Sequence, residues 1–331
     1  MLFRSVDVLR DKVELCLMPE GKQSFKRTLF PLVKGMFRIA FKAQQEQDKN
    51  VVIVPVGIDY DEYIKPGKDW VIRFGKPIEV KSYMDVYEEN QAKGLNALRD
   101  DVYNAISDLI QNIRSKENYE LIYELSRMGD ANFCRKNGQK TTPCNLLNAR
   151  REITMKLDAE ETNNIDFIAK LHELYHTYQE KLKSLSLTDA VVEKPNNILQ
   201  IVFKTILFVL GLPLFAYGWI GNVIPAYSPQ LIVNKLKTDD FKSSFSYVLW
   251  LVLYPVYYLL IFIILWIVFQ SALASFSIVS GFMLLGKFAF VYRKYFLGFY
   301  NQFCLLKAKF LRKQDVEELI RTRKEIVLHF T

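Results

Sequence analysis

The feature that most limits how this chain can fold is a stretch of 44 residues, from Ser243 to Gly286, without any Asp, Glu, Lys, Arg or His. One helical crossing of a bilayer takes about 20 apolar residues, so this stretch is long enough to cross twice. The alternative, helices buried in the core of a soluble protein, is disfavoured because soluble helices seldom run so far without a charge. We therefore expect an integral membrane protein.

Three apolar segments make up this part of the chain: Ile198 to Ile224, Tyr247 to Phe269, and Ser271 to Tyr292. The second and third are typical of membrane-spanning helices and predict a hairpin. The first is interrupted by glycines and prolines, which predicts a broken or re-entrant segment. Basic residues follow the third segment, and such residues favour the cytoplasmic side. We therefore expect the soluble part of the protein to lie in the cytoplasm.

The composition of the whole chain excludes several classes of protein. With 331 residues, 50% of them hydrophobic and 24% charged, the chain is neither disordered nor a low-complexity repeat. The first residues lack the order of a secretory signal, and the four cysteines form no CxxC pair, so reduced thiols and a cytoplasmic location are expected. A net charge of +8 suits contact with anionic membrane lipids, whereas no groove-reading motif points to nucleic acid.

The first part of the chain predicts an α/β fold. Residues 13–18 (VELCLM) indicate a buried strand, residues 32–47 a helix, residues 51–58 (VVIVPVGI) a central strand and residues 70–74 another strand. Strand, helix and strand in about 45 residues are typical of an α/β unit with a largely buried sheet. After Pro77 the pattern is helical, with one apolar stripe from Leu95 to Ile113 and a charged stretch from Asn145 to Ser184 that is interrupted at 161–164.

Residues that could bind a ligand follow the first predicted strand. Glu20 is placed to accept a hydrogen bond from a hydroxyl ligand or to hold the loop that follows, and Gly21 lets the backbone approach a ligand closely. Cations near a predicted helix start suit a phosphate, because backbone N–H groups and the helix dipole converge there. A turn followed by a solvated basic face is the plainer interpretation. The predicted substrate-binding residues are Glu20, Gly21, Lys22, Ser24, Lys26, Arg27 and Lys34.

Four motifs in order strengthen the first interpretation: residues 17–24 (LMPEGKQS), 31–35 (PLVKG), 53–60 (IVPVGIDY) and 74–80 (FGKPIEV). Together they resemble the glycerol-3-phosphate and 1-acylglycerol-3-phosphate acyltransferase family, in its membrane-anchored form. The resemblance implies transfer of an acyl chain from acyl-CoA or acyl carrier protein to a hydroxyl of glycerol-3-phosphate or lysophosphatidate, without cofactor or metal. It divides the chain into the C-terminal half of an acyltransferase α/β domain (1–85), a helical bridge (86–197), a transmembrane or re-entrant region (198–292) and a basic cytoplasmic tail helix (293–331).

The chain departs from this family at two places. The arginine that the family often carries two residues after the glycine is Gln23 here, and Lys26 or Arg27 would supply the missing charge. The family's general base, a histidine with an aspartate five positions later, is absent, because none of the three histidines is followed by such an aspartate. We expect the first half of the domain to be missing from this chain, and the chain as given to be inactive.

Two other interpretations compete with the acyltransferase. His172-Glu173-Leu174-Tyr175-His176 matches HExxH, the motif of zinc proteases, but no third histidine follows before His329. Two exposed histidines on a charged helix would explain the same residues. A non-catalytic membrane scaffold, held against anionic headgroups by its basic residues, would account for the apolar segments equally well.

Overall fold

A computed structural model describes residues 2–11, 13–22, 24–63, 69–235 and 242–330. Gln23, where the family resemblance fails, lies outside these residues. The structure is 72% helical with few strands. Its contacts divide the chain into two compact units, Met1–Glu173 with Ile326–Thr331, and Leu174–Glu325.

The first unit begins with helix α1 (Leu2–Arg10), and α2 (Gly35–Gln45) confirms the helix predicted for residues 32–47, with a start three residues later. Residues 13–18 between them form no strand, so the predicted buried strand is wrong. Three of their apolar side chains are exposed: Val13, Leu17 and Met18. A strand needs a hydrogen-bonded neighbour, and the described strands all pair with one another.

Four short strands follow: β1 (Val52–Ile53), β2 (Val56–Tyr60), β3 (Trp70–Phe74) and β4 (Ile78–Glu79). They form two separate antiparallel pairs, β1 with β4 and β2 with β3. The predicted central strand is therefore interrupted next to Pro55, which has no N–H to donate. The expected largely buried sheet is wrong, since Phe74 and Trp70 are 72% and 58% exposed. The α/β expectation holds only in this small strand region.

The core of the first unit lies between α2, α3 (Met84–Glu89) and α4 (Gln91–Ser107). Phe37 and Phe41 of α2 are fully buried, and the ring of Phe41 stacks on Tyr87 at 4.0 Å. The predicted apolar stripe is confirmed for Leu95, Leu98 and Val102, which are buried in α4, whereas Ile113 lies beyond the end of that helix.

Two further helices complete the bulk of the first unit. The helix α5 (Tyr119–Lys136) was not anticipated, although Ile122 and Leu125 have helical spacing and are fully buried. It packs against α6 (Pro143–Asn163), through residues such as Ile153. The next helix, α7 (Ile165–Ser184), starts after Asn164, as the predicted interruption at 161–164 requires.

The second unit holds the apolar helices. After α8 (Asp189–Glu193) come α9 (Ile198–Ile220), α10 (Val223–Val233), α11 (Lys242–Phe269), α12 (Ala272–Leu311) and α13 (Lys313–Leu328). Three stretches are long and apolar enough to cross a membrane, namely Ile198–Ile220, Ser244–Phe269 and Ala272–Leu311. A membrane protein is therefore supported by length and composition.

The structure refines two expectations about these helices. Within the predicted segment 198–224, α9 continues through Pro213 to Ile220, and the break falls at Gly221 and Asn222. The helix α12 does not end near Tyr292 but runs on to Leu311, so the basic tail is partly an extension of an apolar helix. Both helices stay continuous over this length because α9 packs along α12.

Candidate functional site

The turn at Pro19, Glu20 and Gly21 begins a closed loop. Gly21 has φ of +63°, a conformation that residues with a Cβ rarely adopt. The backbone N–H of Val33 donates to the carbonyl of Pro19 at 2.8 Å, and the N–H of Phe30 donates to Glu20 Oε2 at 2.8 Å. Of the two roles predicted for Glu20, the structure shows the second, in which its carboxylate holds the following loop.

Most of the predicted cations on this loop point to solvent. Lys22 and Lys34 are exposed, and the ammonium of Lys26 lies over the ring of Tyr119 at 5.1 Å. The hydroxyl of Ser24 accepts a hydrogen bond from the backbone N–H of Lys26 at 3.0 Å, which shapes the loop. A dissolved anion can therefore reach the exposed side chains of Lys22, Lys26 and Lys34.

Arg27 differs from the other cations because its side chain is only 2% exposed. Its guanidinium donates to the backbone carbonyls of Tyr60 and Asp61 and lies 3.9 Å from Asp59 Oδ1. The guanidinium also sits 5.1 Å from the centre of the Tyr63 ring. Burial raises the pKa of the Tyr63 hydroxyl, and the neighbouring charge of Arg27 opposes that rise. Arg27 is thus a packing and charge-pairing residue of the interior.

Asp59, the partner of Arg27, is shared with a second arginine. Arg73 donates to Asp59 Oδ2 at 2.6 Å and to the carbonyl of Leu109 at 2.8 Å. The other carboxylate oxygen, Asp59 Oδ1, accepts from the backbone N–H of Gln111 at 3.0 Å. The buried Asp59 is therefore committed to holding β2, β3 and the segment after α4 together.

A cleft along α2 brings Lys34, which the motifs predicted, together with two cations that the prediction missed, Arg38 and Lys42. Lys34, Arg38 and Lys42 are spaced by four residues and line a cleft of about 600 Å³, to which α3 and α4 contribute Tyr87 and Gln91. Lys42 lies 3.9 Å from Glu46, while Lys34 and Arg38 are exposed. The side chain of Lys34, the N-cap residue of α2, makes no capping hydrogen bond. The four-residue spacing was a signal in the sequence, because it places cations on one helix face.

A second cleft of about 350 Å³ is lined by Ser107, Arg114, Asp158 and Glu161, among others. One carboxylate oxygen of Asp158 accepts from the backbone N–H of Arg114 at 3.1 Å, and the other has no hydrogen-bond partner among the described residues. Burial raises the pKa of Asp158, and the nearby Glu161 adds to that rise. These residues brace α6 against the segment that precedes α5.

The histidines of the HExxH sequence lie on α7. His172, Glu173 and His176 are all exposed, and His176 Nδ1 lies 3.7 Å from Glu180 Oε1. Within the part of the chain that the structure describes, no group of three His, Cys, Asp or Glu side chains is arranged to hold a metal ion. The arrangement is that of two solvent-facing histidines on one helix.

No protein-family model matches this chain, no curated protein is similar to it, and no solved structure resembles it. Three features of the chain itself indicate a function: the loop at residues 19–33, the cationic cleft of α2 and the apolar helices.

Proposed function

We propose that this chain acts in glycerophospholipid synthesis as a membrane-anchored acyltransferase-type protein that binds the acyl acceptor. The acceptor would be glycerol-3-phosphate or lysophosphatidate, and the acyl donor acyl-CoA or acyl carrier protein. One observation carries the proposal. The Pro19–Gly21 turn is hydrogen-bonded to Val33, directly before the uncapped start of α2, where Lys34 and Arg38 are exposed.

This arrangement suits a phosphate monoester. The first N–H groups of a helix have no partner within the helix, and together with the helix dipole they favour an anion. Hydrogen bonds between a cationic side chain and phosphate are stronger than neutral ones, each contributing about 1.5–3 kcal/mol. Lys34 and Arg38 supply such donors beside the helix start. Arg27, enclosed in the interior, is not part of the proposed contact.

The apolar helices support the lipid part of the proposal. Lysophosphatidate and the acylated product carry acyl chains that remain in the bilayer, so a protein that handles them gains from an anchor in the same bilayer. Three stretches of this chain are long and apolar enough to provide that anchor. The proposed acceptor site would then work close to the source of its lipid substrate.

Binding of sn-glycerol 3-phosphate to the full chain in lipid nanodiscs tests the proposal. We expect saturable binding by isothermal titration calorimetry, no binding of glycerol, and weaker binding of inorganic phosphate. The double variant Lys34→Ala with Arg38→Ala should lose affinity at least tenfold, since two charge-assisted donors are removed. The matched control is Lys116→Ala with Lys140→Ala, which removes the same charge from exposed positions elsewhere.

Two outcomes would overturn the proposal. If the parent chain binds no glycerol phosphate, the non-catalytic scaffold becomes the better description. If both double variants lose affinity equally, the binding is a general effect of net charge. Increasing salt should weaken the binding, because Lys34 and Arg38 are exposed and salt screens exposed charges.

A further inference from the structure

Both ends of the apolar region meet at one end of the second unit. Gln302 Oε1 accepts a hydrogen bond from the backbone N–H of Asn196 at 2.9 Å, and Gln302 Nε2 donates to the carbonyl of Lys194 at 2.8 Å. Asn196 lies two residues before α9, whereas Gln302 lies in the last third of α12. Because α12 is one continuous helix, this end is about 48 Å from the turn between α11 and α12 at Gln270.

The turn between α9 and α10 lies part of the way along the α11–α12 hairpin. Asn222 Nδ2 donates to the carbonyl of Phe282 at 2.9 Å, and the hydroxyl of Tyr258 donates to Asn222 Oδ1 at 2.6 Å. Tyr258 and Phe282 are each twelve residues from Gln270. Asn222 therefore lies about 18 Å short of the turn that ends the hairpin, at 1.5 Å of helix rise per residue.

From Asn222 the chain returns in the direction from which it came. The indole N–H of Trp250 donates to the carbonyl of Ala226 at 3.3 Å, and Trp250 is eight residues further from the α11–α12 turn than Tyr258. The rings of Trp219 of α9 and Tyr227 of α10 meet edge to face, with their centroids 5.7 Å apart. The eleven residues of α10 span about 16 Å, so α10 ends near the start of α11.

The helix surfaces beyond Asn222 require lipid. The chain between Lys242 and Lys287 carries no charge, and the part of it near the turn exposes large apolar side chains: Leu259, Leu260, Ile263, Ile264, Trp266, Ile267, Val268, Phe269, Leu273 and Phe276. Transfer of each of these side chains from water to lipid is favourable, in proportion to the apolar area that leaves water. If α9 spanned the whole bilayer, this surface would project about 18 Å into water.

The position of Arg293 suits the opposite edge of the hydrocarbon core. Arg293 is 23 residues from Gln270, or about 34 Å along α12, which exceeds the roughly 30 Å of such a core. Its side chain reaches back towards the tip, because the guanidinium lies 5.2 Å from the ring of Trp219 and 5.4 Å from that of Tyr227. Aromatic rings that contact a cation near this edge are typical of the interface between lipid and water.

We propose that α9 and α10 form a re-entrant hairpin, embedded in one side of the bilayer, with its tip at Gly221 and Asn222 inside the membrane. Only α11 and α12 then cross. α10 and the part of α9 near the tip contact the lipid of the leaflet at which they enter. Lys235, after α10, lies on the same side of the membrane as Asn196 and Gln302, and Gln270 lies alone on the other side. This inference does not depend on the proposed acyltransferase function.

Single cysteines in a chain whose native cysteines are changed to serine test the topology with an impermeant maleimide. The introduced changes, at exposed positions, are Lys183→Cys, Lys235→Cys, Gln270→Cys and Lys313→Cys. We expect 183, 235 and 313 to be labelled from one side of the membrane and 270 from the other. Three crossings would instead pair 183 with 270, and 235 with 313, and that result would overturn the proposal.

A depth measurement separates a re-entrant hairpin from one that lies outside the bilayer. Ile224, beside the tip, is 61% exposed on the protein surface. A nitroxide on Ile224→Cys should be relaxed strongly by oxygen and weakly by a water-soluble nickel complex, as in the bilayer interior. The matched control, Lys235→Cys with the same label, should show the reverse. Strong relaxation by nickel at 224 would contradict the proposal even if the labelling pattern agreed.

Discussion

Gly21 makes the loop at residues 19–33 possible, since it combines a positive φ with close contact to Val33. A Cβ at this position would lie 3.3 Å from Val33 Cγ1, in a backbone conformation that costs other residues about 1–2 kcal/mol. We predict that Gly21→Ala lowers the protection of the Phe30 and Val33 amides against hydrogen exchange about tenfold. Gly35→Ala is the control, because a Cβ there meets nothing within 4 Å. Equal protection in both variants would refute a structural role for Gly21.

Arg27 and its neighbour Lys26 should respond differently to the same substitution. Arg27→Ala removes a buried partner of Asp59 and should destabilise the protein by about 3 kcal/mol, at the low end for buried ion pairs because Arg73 stays in place. Lys26→Ala removes an exposed cation over a ring and should cost about 0.5 kcal/mol. Urea unfolding of the full chain in detergent, followed by circular dichroism, measures both. If Arg27→Ala lowers the free energy of unfolding no more than Lys26→Ala does, the side chain of Arg27 is exposed to solvent and the assignment is wrong.

Asp158 makes stability depend on pH in a direction set by its burial. Because its pKa is raised in the folded state, the folded protein binds the proton more tightly than the unfolded chain, so its contribution to stability falls as the pH rises through that pKa. We predict that Asp158→Asn raises the unfolding temperature at pH 7 and that the difference shrinks towards pH 4. A variant less stable than the parent at pH 7 would mean that the carboxylate has a stabilising partner.

At the scale of helices, glycines decide how closely α9 and α12 approach. A Cβ on Gly218 would lie 2.3 Å from the carbonyl oxygen of Leu285, and a backbone atom cannot move aside cheaply. Gly218→Ala should therefore push the helices apart and cost about 1–3 kcal/mol. Titration with SDS in mixed micelles should show an earlier loss of helix packing. Gly298→Ala on α12 is the control, because nothing lies within 4 Å of its added Cβ, and its titration should match the parent.

For the whole molecule, the chemistry of acyl transfer sets the strongest expectation. The acceptor hydroxyl needs a general base, which typically contributes about a hundredfold to ten-thousandfold. His172 and His176 are exposed on α7, His329 lies beside Phe167, and none is followed by an aspartate five residues later. Membranes that carry only this chain should therefore form no product from labelled acyl-CoA and glycerol-3-phosphate, even if they bind the acceptor. Turnover above empty-vector membranes would reveal a base elsewhere in the chain.

The sequence determined the features that depend on local composition. The uncharged stretch from Ser243 to Gly286 is apolar whatever surrounds it, so the apolar helices follow from counting charges. The interruption at Asn164 and the strand at 70–74 also depend on nearby residues, and the structure has both. Gly21 was identified from the turn it occupies, and its positive φ agrees.

Only the tertiary structure decided where the charges and strands of the first unit lie. Residues 13–18 have the composition of a strand but form none, because each strand among the described residues pairs with another described strand and not with this segment. The sequence does not show which of the neighbouring cations, Lys26 or Arg27, is buried. In the structure the guanidinium of Arg27 pairs with the buried Asp59, 32 residues later in the chain. Asn222 is a polar residue among apolar ones, and the sequence alone shows no hydrogen-bond partner for it. In the structure its side chain bonds to the hydroxyl of Tyr258 and to the carbonyl of Phe282. In each case the deciding energy comes from a partner far along the chain, which no local pattern contains.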